Sequence, residues 1–92
     1  MHERTATVKS KYGIHARPSA VICIHAKSYP ETEILLVDPI NGSIYDANSI
    51  LMILTMSKKC GDVVIVRASG KREKEAVEDI AMVIETYEIE DL

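Results

Sequence analysis

An α+β domain built as an open-faced β-sandwich is what the sequence predicts, and three observations carry that expectation. Strand-like and helix-like stretches follow one another in the order β-α-β-β-α-β-α, read from the period of the apolar residues. An Asn41-Gly42 dipeptide between two extended stretches marks a hairpin, so at least part of the sheet is antiparallel. The last strand-like stretch is apolar almost throughout whereas the first alternates, which places the helices on one face of the sheet. A chain of 92 residues suits one domain, 1–92, with little stability to spare for a deep enclosed pocket. A surface site used together with a partner is the expected kind of function.

Each element has its own warrant. The first strand is placed at Arg4-Thr5-Ala6-Thr7-Val8-Lys9, which alternates with period two and is rich in β-branched residues; Lys11-Tyr12-Gly13 ends it. His2 is expected to be mobile near the terminus. Pro18 sits where a helix begins, since a proline in the first turn gives up only an N–H that has no partner there. Ala20, Val21, Ile24 and Ala26-Lys27 continue that helix until Ser28-Tyr29-Pro30 stops it. Strands at Glu33–Val37 and Ser43–Tyr45 flank the hairpin. Asp46, Asn48 and Ser49 are possible N-caps for a short helix running to about Lys58. After Cys60-Gly61, Asp62 opens a fourth strand over Val63–Arg67. The clearest helix follows Ser69-Gly70, with Val77, Ile80, Ala81, Ile84 and Tyr87 on one stripe.

Composition excludes several classes. The net charge is −3, and the densest basic stretch, Lys71-Arg72-Glu73-Lys74-Glu75, is interleaved with carboxylates and reads as a solvated helix face. With no Trp or Phe and 4 scattered Tyr, the chain lacks a base-stacking platform, so nucleic acid is not an expected partner. Cys23 and Cys60 fall outside any Cys-x-x-Cys pattern and are expected to be reduced, partly buried thiols. His25 has no Cys, His or carboxylate at ligand spacing, and no metal site is expected. Without an apolar leader or a spanning segment, the expected location is the cytoplasm, with no membrane insertion.

Two features point to chemistry. In Gly13-Ile14-His15-Ala16-Arg17-Pro18 a histidine stands immediately before a helix start. The free N–H groups of Ala16 and Arg17 and the positive end of the helix dipole suit an anion. Together with the Arg17 guanidinium, they favour a neutral imidazole, which is a nucleophile. Nucleophile, anion cradle and charge clamp within one turn suit phosphoryl transfer; the same spacing also fits an inert loop histidine. The second feature is Ser49-Ile50-Leu51-Met52-Ile53-Leu54-Thr55-Met56. A two-turn helix on a sheet buries one stripe, so part of this run must face solvent and mark a docking surface.

These residues resemble HPr, the histidine-containing phosphocarrier family of the bacterial sugar phosphotransferase system. The resemblance rests on the hexapeptide around His15, on Ser49-Ile50 opening a second helix, on Gly61 before the last strand, and on element order and length. It implies a four-stranded antiparallel sheet with three helices on one face. It implies that His15 takes a phosphoryl group on Nδ1 from phosphorylated Enzyme I, which draws on phosphoenolpyruvate, and passes it to Enzyme IIA, with Arg17 on the phosphate. The docking surface would be Ile50, Leu51 and Leu54 with Ala20, Ile24 and Lys27, and Ser49 would be the position that a serine kinase modifies. The chain would be a monomeric transfer component with no cofactor and no small-molecule pocket. Tyr12, Met52 and a slightly longer Val37–Ser43 segment depart from the family pattern; Tyr12 would shield the imidazole or donate a hydrogen bond.

Two alternatives stay open. One is a docking module of a nitrogen-related or catabolite-control branch that works without sugar transport. The other is a small α+β ligand- or RNA-binding domain sharing only the layer architecture.

Overall fold

The computed structural model describes residues 1–87. Seven elements follow in the predicted order: β1 (His2–Thr7), α1 (Ala16–Ala26), β2 (Thr32–Val37), β3 (Ile44–Asp46), α2 (Ile50–Thr55), β4 (Val63–Gly70) and α3 (Glu73–Thr86). The strands form one sheet in the order β1-β4-β2-β3, and every neighbouring pair is antiparallel. β4 lies in the middle, pairing Arg4 with Val66 on one side and Leu36 with Val66 on the other. One face of the sheet contributes Ala6, Ile34, Leu36, Val64, Val66 and Ala68 to the core. The helices answer with Ile22, Ile53, Val77, Ile80 and Ala81, all fully buried. The alternation of buried and less buried residues along β4 is what lets a nearly continuous apolar strand serve an open sheet.

Several boundaries differ from the sequence expectation, each for a visible reason. β1 starts at His2 rather than Arg4, because β4 runs on to Gly70 and offers Ala68 as a partner for His2. His2 is therefore part of a strand. Arg4 fastens that strand to α3 through Glu78 at 2.9 Å and Glu85 at 2.8 Å, and the terminal ammonium meets Glu73 at 2.9 Å. At the other end β1 stops at Thr7, and Val8 instead trades backbone bonds with Gly61 and Asp62, both 2.8 Å. α2 stops at Thr55, short of Lys58, because Ser57 turns into the left-handed region at φ 55°; a residue there cannot continue a right-handed helix. Tyr87 closes α3 with an extended backbone instead of extending its stripe.

Lys58 then turns inward. Its ammonium meets Asp38 at 3.2 Å, and both residues are buried. Asp38 also accepts the Ile40 N–H at 2.8 Å. That backbone bond first, and then Lys58, hold the Asp38 carboxyl below its ordinary value of 3.8 against the opposing effect of burial. A carboxylate with a lowered folded value stabilises the fold above the unfolded value and loses that contribution as pH falls through the folded one. Urea titrations from about pH 5 down to about pH 2 should therefore show stability falling with acid, with a shallower slope in Asp38→Asn.

Candidate functional site

The segment between β1 and α1 is anchored at several points before it reaches His15. The Lys9 N–H reaches the Ile84 carbonyl at 3.4 Å, and the Gly13 N–H closes a turn onto the Ser10 carbonyl at 2.9 Å. Gly13 has φ 77°, and a Cβ there would collide with the Lys58 carbonyl oxygen and sit 3.0 Å from Lys59 Cα. Only glycine satisfies both the sign of φ and that approach. The next N–H, of Ile14, donates to the same Lys58 carbonyl at 3.0 Å, and the Ile14 side chain is buried. His15 follows directly, so its position is set by backbone contacts with the α2–β4 connection.

His15 is the N-cap of α1, with extended dihedrals of φ −106° and ψ −160°, and its side chain makes no capping bond. Its carbonyl accepts the Ser19 N–H at 3.0 Å, the first bond of the helix. The N–H groups of Ala16 and Arg17 precede that bond and find no acceptor among the described residues. Pro18, next in line, has no N–H to offer. The half-buried ring is turned so that Nε2 is enclosed without a hydrogen-bond partner. Nδ1 makes no bond to a described residue and, unlike Nε2, is not an enclosed atom without a partner. The imidazole is thus followed by two free amides at the positive end of an 11-residue helix, an arrangement that attracts an anion.

Arg17 is exposed. Arg4, Arg67 and Arg72 each hold a carboxylate, whereas Arg17 holds none among the described residues. Tyr12 stands edge-on to the His15 ring, with centroids 6.2 Å apart and planes at 78°. It shields one side of the imidazole and makes no hydrogen bond to it; Lys11 lies 5.6 Å from the tyrosine centroid. No group of three His, Cys, Asp or Glu among the described residues is placed to hold a metal. A cavity of about 290 Å³, lined by Tyr29, Pro30, Glu31, Thr32, Lys71 and Arg72, lies beyond the other end of α1.

The apolar run divides as a short amphipathic helix must. Ile53 and Met56 are buried, while Leu51 is 76% and Ile50 and Met52 are each 40% exposed. Across from them on α1, Ile24 is 65% exposed, Lys27 is exposed, and Ala20, like Leu54 on α2, is half-buried. The two helices are joined where Cys23 Sγ donates to the Asn48 carbonyl at 3.3 Å. Ser49 is the cap of α2, its Oγ accepting the Met52 N–H at 3.2 Å; Asn48 and Asp46 do not take that role.

The geometry fits what the comparisons with known proteins show. Residues 2–86 match the family model described as the PTS HPr component phosphorylation site. The chain belongs to the HPr family. It is 32% identical over 89 residues to the phosphocarrier protein HPr of Mycoplasma pneumoniae, covering 97% of this chain and 99% of that one. It is 29% identical over 75 residues to the phosphocarrier protein NPr of Klebsiella oxytoca, covering 82% and 81%. The crystal structure of HPr-C-His from Thermoanaerobacter tengcongensis superposes with a TM-score of 0.81 at 31% identity, covering 91% of each chain. A phosphocarrier role in the phosphotransferase system follows from membership, and HPr structures share the open four-stranded sheet with three helices.

Sequence reasoning missed three features. Cys60 is exposed rather than partly buried; Cys23 is buried, and both are free thiols. His25 does have a carboxylate neighbour: Asp79 of α3 lies 2.7 Å from its Nδ1 and accepts the Tyr29 hydroxyl at 2.7 Å. Burial and that bond push the Tyr29 phenol up to about 12. The anchoring of the His15 loop on Lys58 was also hidden, because Ile14 and Lys58, 44 positions apart, meet through backbone atoms.

Two substitutions test this reading. Gly13→Ala, at positive φ against the Lys58 carbonyl, should cost more than about 1 kcal/mol in urea unfolding. Ser49→Ala removes the α2 cap and should cost about 1 kcal/mol by the same measurement.

Proposed function

We propose that the chain, read as a single domain over 1–92, carries phosphoryl groups between two protein partners, with His15 as the acceptor. The observation that supports this most directly is the asymmetry of the His15 ring, with Nε2 enclosed and Nδ1 not, in a residue followed by the free amides of Ala16 and Arg17 at the start of α1. A neutral imidazole uses the Nδ1 lone pair to attack phosphorus on phosphorylated Enzyme I. As the Nδ1–P bond forms, the bond from phosphorus to the donor atom breaks and its electron pair stays with the donor. The Ala16 and Arg17 N–H groups and the Arg17 guanidinium face the phosphoryl oxygens and offset their charge. Transfer to Enzyme IIA reverses these steps, and the sugar uptake it serves belongs to that partner.

The surroundings suit acidic partners. Lys11, Lys27 and Lys59 are exposed and, like Arg17, hold no carboxylate among the described residues, although the chain carries a net −3. Ile24, Ile50 and Leu51, with Ala20, Leu54 and Lys27, provide the apolar centre of a docking surface. Phosphorylation of Ser49 by a kinase would place charge at the α2 start, where the dipole favours it, and beside that apolar surface, where it would oppose an acidic partner.

The second reading, a regulator of a nitrogen-related branch, draws support from the likeness to NPr and from the accessible helix start at Ser49. The carrier reading is tested by incubating the protein with phosphoenolpyruvate and Enzyme I and recording the intact mass. A carrier gains one acid-labile, base-stable phosphoryl group, and His15→Ala gains none. Absence of any gain, or an unchanged gain in His15→Ala, contradicts the assignment.

A further inference from the structure

Three side-chain polar atoms are enclosed without a hydrogen-bond partner among the described residues: Ser10 Oγ, His15 Nε2 and Ser19 Oγ. All three belong to the segment that builds the His15 site. Ser19 is fully buried and Ser10 is 2% exposed. Enclosed polar groups almost always find partners, since leaving one unpaired is costly. Ser19 lies in the first turn of α1, the turn that follows the cap residue His15. Its Cα–Cβ bond also tilts toward the helix start, as every such bond does. Its N–H is already bonded to the His15 carbonyl at 3.0 Å. Ser10 opens the turn that closes on Gly13, its carbonyl accepting the Gly13 N–H at 2.9 Å.

We propose that the buried hydroxyls of Ser19 and Ser10 serve as positioning groups behind the imidazole, through a bridging water, and fix which ring nitrogen carries the proton. This rests on the carrier reading above and deepens it. For Nδ1 to present a lone pair, the single proton of the neutral ring must sit on Nε2, and Nε2–H then needs an acceptor. When Nδ1 bonds to phosphorus, the ring becomes an imidazolium with that proton still on Nε2. If the proton then leaves to solvent, Nε2 holds a lone pair and needs a donor. A hydroxyl meets both needs by rotating, because it is donor and acceptor at once. A carboxylate could only accept from the ring, and an ammonium could only donate to it. The serines form no bond to phosphorus; they hold the ring's rear nitrogen in each protonation state.

The test uses the unphosphorylated full chain labelled with nitrogen-15 at histidine, with long-range proton–nitrogen NMR recorded at a pH where His15 is neutral. The native protein should show the Nε2–H form with a free Nδ1. Ser19→Ala should lower the ratio of the Nε2–H to the Nδ1–H form roughly fivefold, the equivalent of one hydrogen bond, and Ser10→Ala with Ser19→Ala should lower it further. A merely structural role would change the melting temperature and leave that ratio alone. If Ser19→Ala fails to fold, Ser19→Cys keeps the volume, weakens the hydrogen bond and is read in the same way. An unchanged ratio in the single and double variants overturns the proposal. Failure to accept phosphate from Enzyme I overturns the carrier reading instead, since the tautomer ratio is measured without any partner.

Discussion

The close approach of Gly13 to the Lys58 carbonyl is the contact on which the His15 site depends. A side chain at residue 13 would push the two backbones apart, and the Ile14 N–H would lose its acceptor. His15 would then no longer enter α1 at its present angle. The contact is supported from behind. Lys58 is held inward by Asp38, and Asp38 is fixed by the hairpin between β2 and β3 through the Ile40 N–H and the Gly42 N–H. The hairpin, the α2–β4 connection and the loop before α1 therefore form one continuous chain of contacts.

Several of the cations away from the His15 loop are neutralised. Arg4, Arg67, Arg72, Lys58 and Lys71 are paired with carboxylates on the sheet, the α3 side or the interior. Arg17 and Lys11, in or next to the loop that carries His15, have none among the described residues, and neither do Lys27 at the far end of α1 and Lys74 on α3. Surface ion pairs contribute little stability each, so the pairing matters less for folding than for the charges it leaves uncancelled. Ile24 on α1 and Ile50, Leu51 and Met52 on α2 remain exposed and apolar.

Much of this was legible in the sequence because local rules and tertiary structure agree. The period of the apolar residues found all seven elements, and the Asn41-Gly42 hairpin found the antiparallel pairing. The residues next to Pro18 found the helix start that His15 caps. What stayed hidden was set by contacts distant in sequence. His2-Glu3 looks like a frayed end until β4 supplies its partner strand. Lys58 looks like the last residue of a helix until Ser57 reverses the backbone and buries the ammonium. His25 looks isolated because its carboxylate neighbour arrives from α3. At the site itself the sequence indicated a histidine beside an anion cradle, while the direction of the ring, which decides between its two nitrogens, needed coordinates.

That direction is also the most direct point of attack on the account. Phosphorylated protein labelled with nitrogen-15 can be studied by phosphorus–nitrogen NMR, which identifies the nitrogen bonded to phosphorus. The structure predicts coupling to Nδ1 of His15, with the Ala16 and Arg17 amide protons moving downfield as they meet the phosphoryl oxygens. Coupling to Nε2 of His15, or phosphorus on His2 or His25, would contradict it.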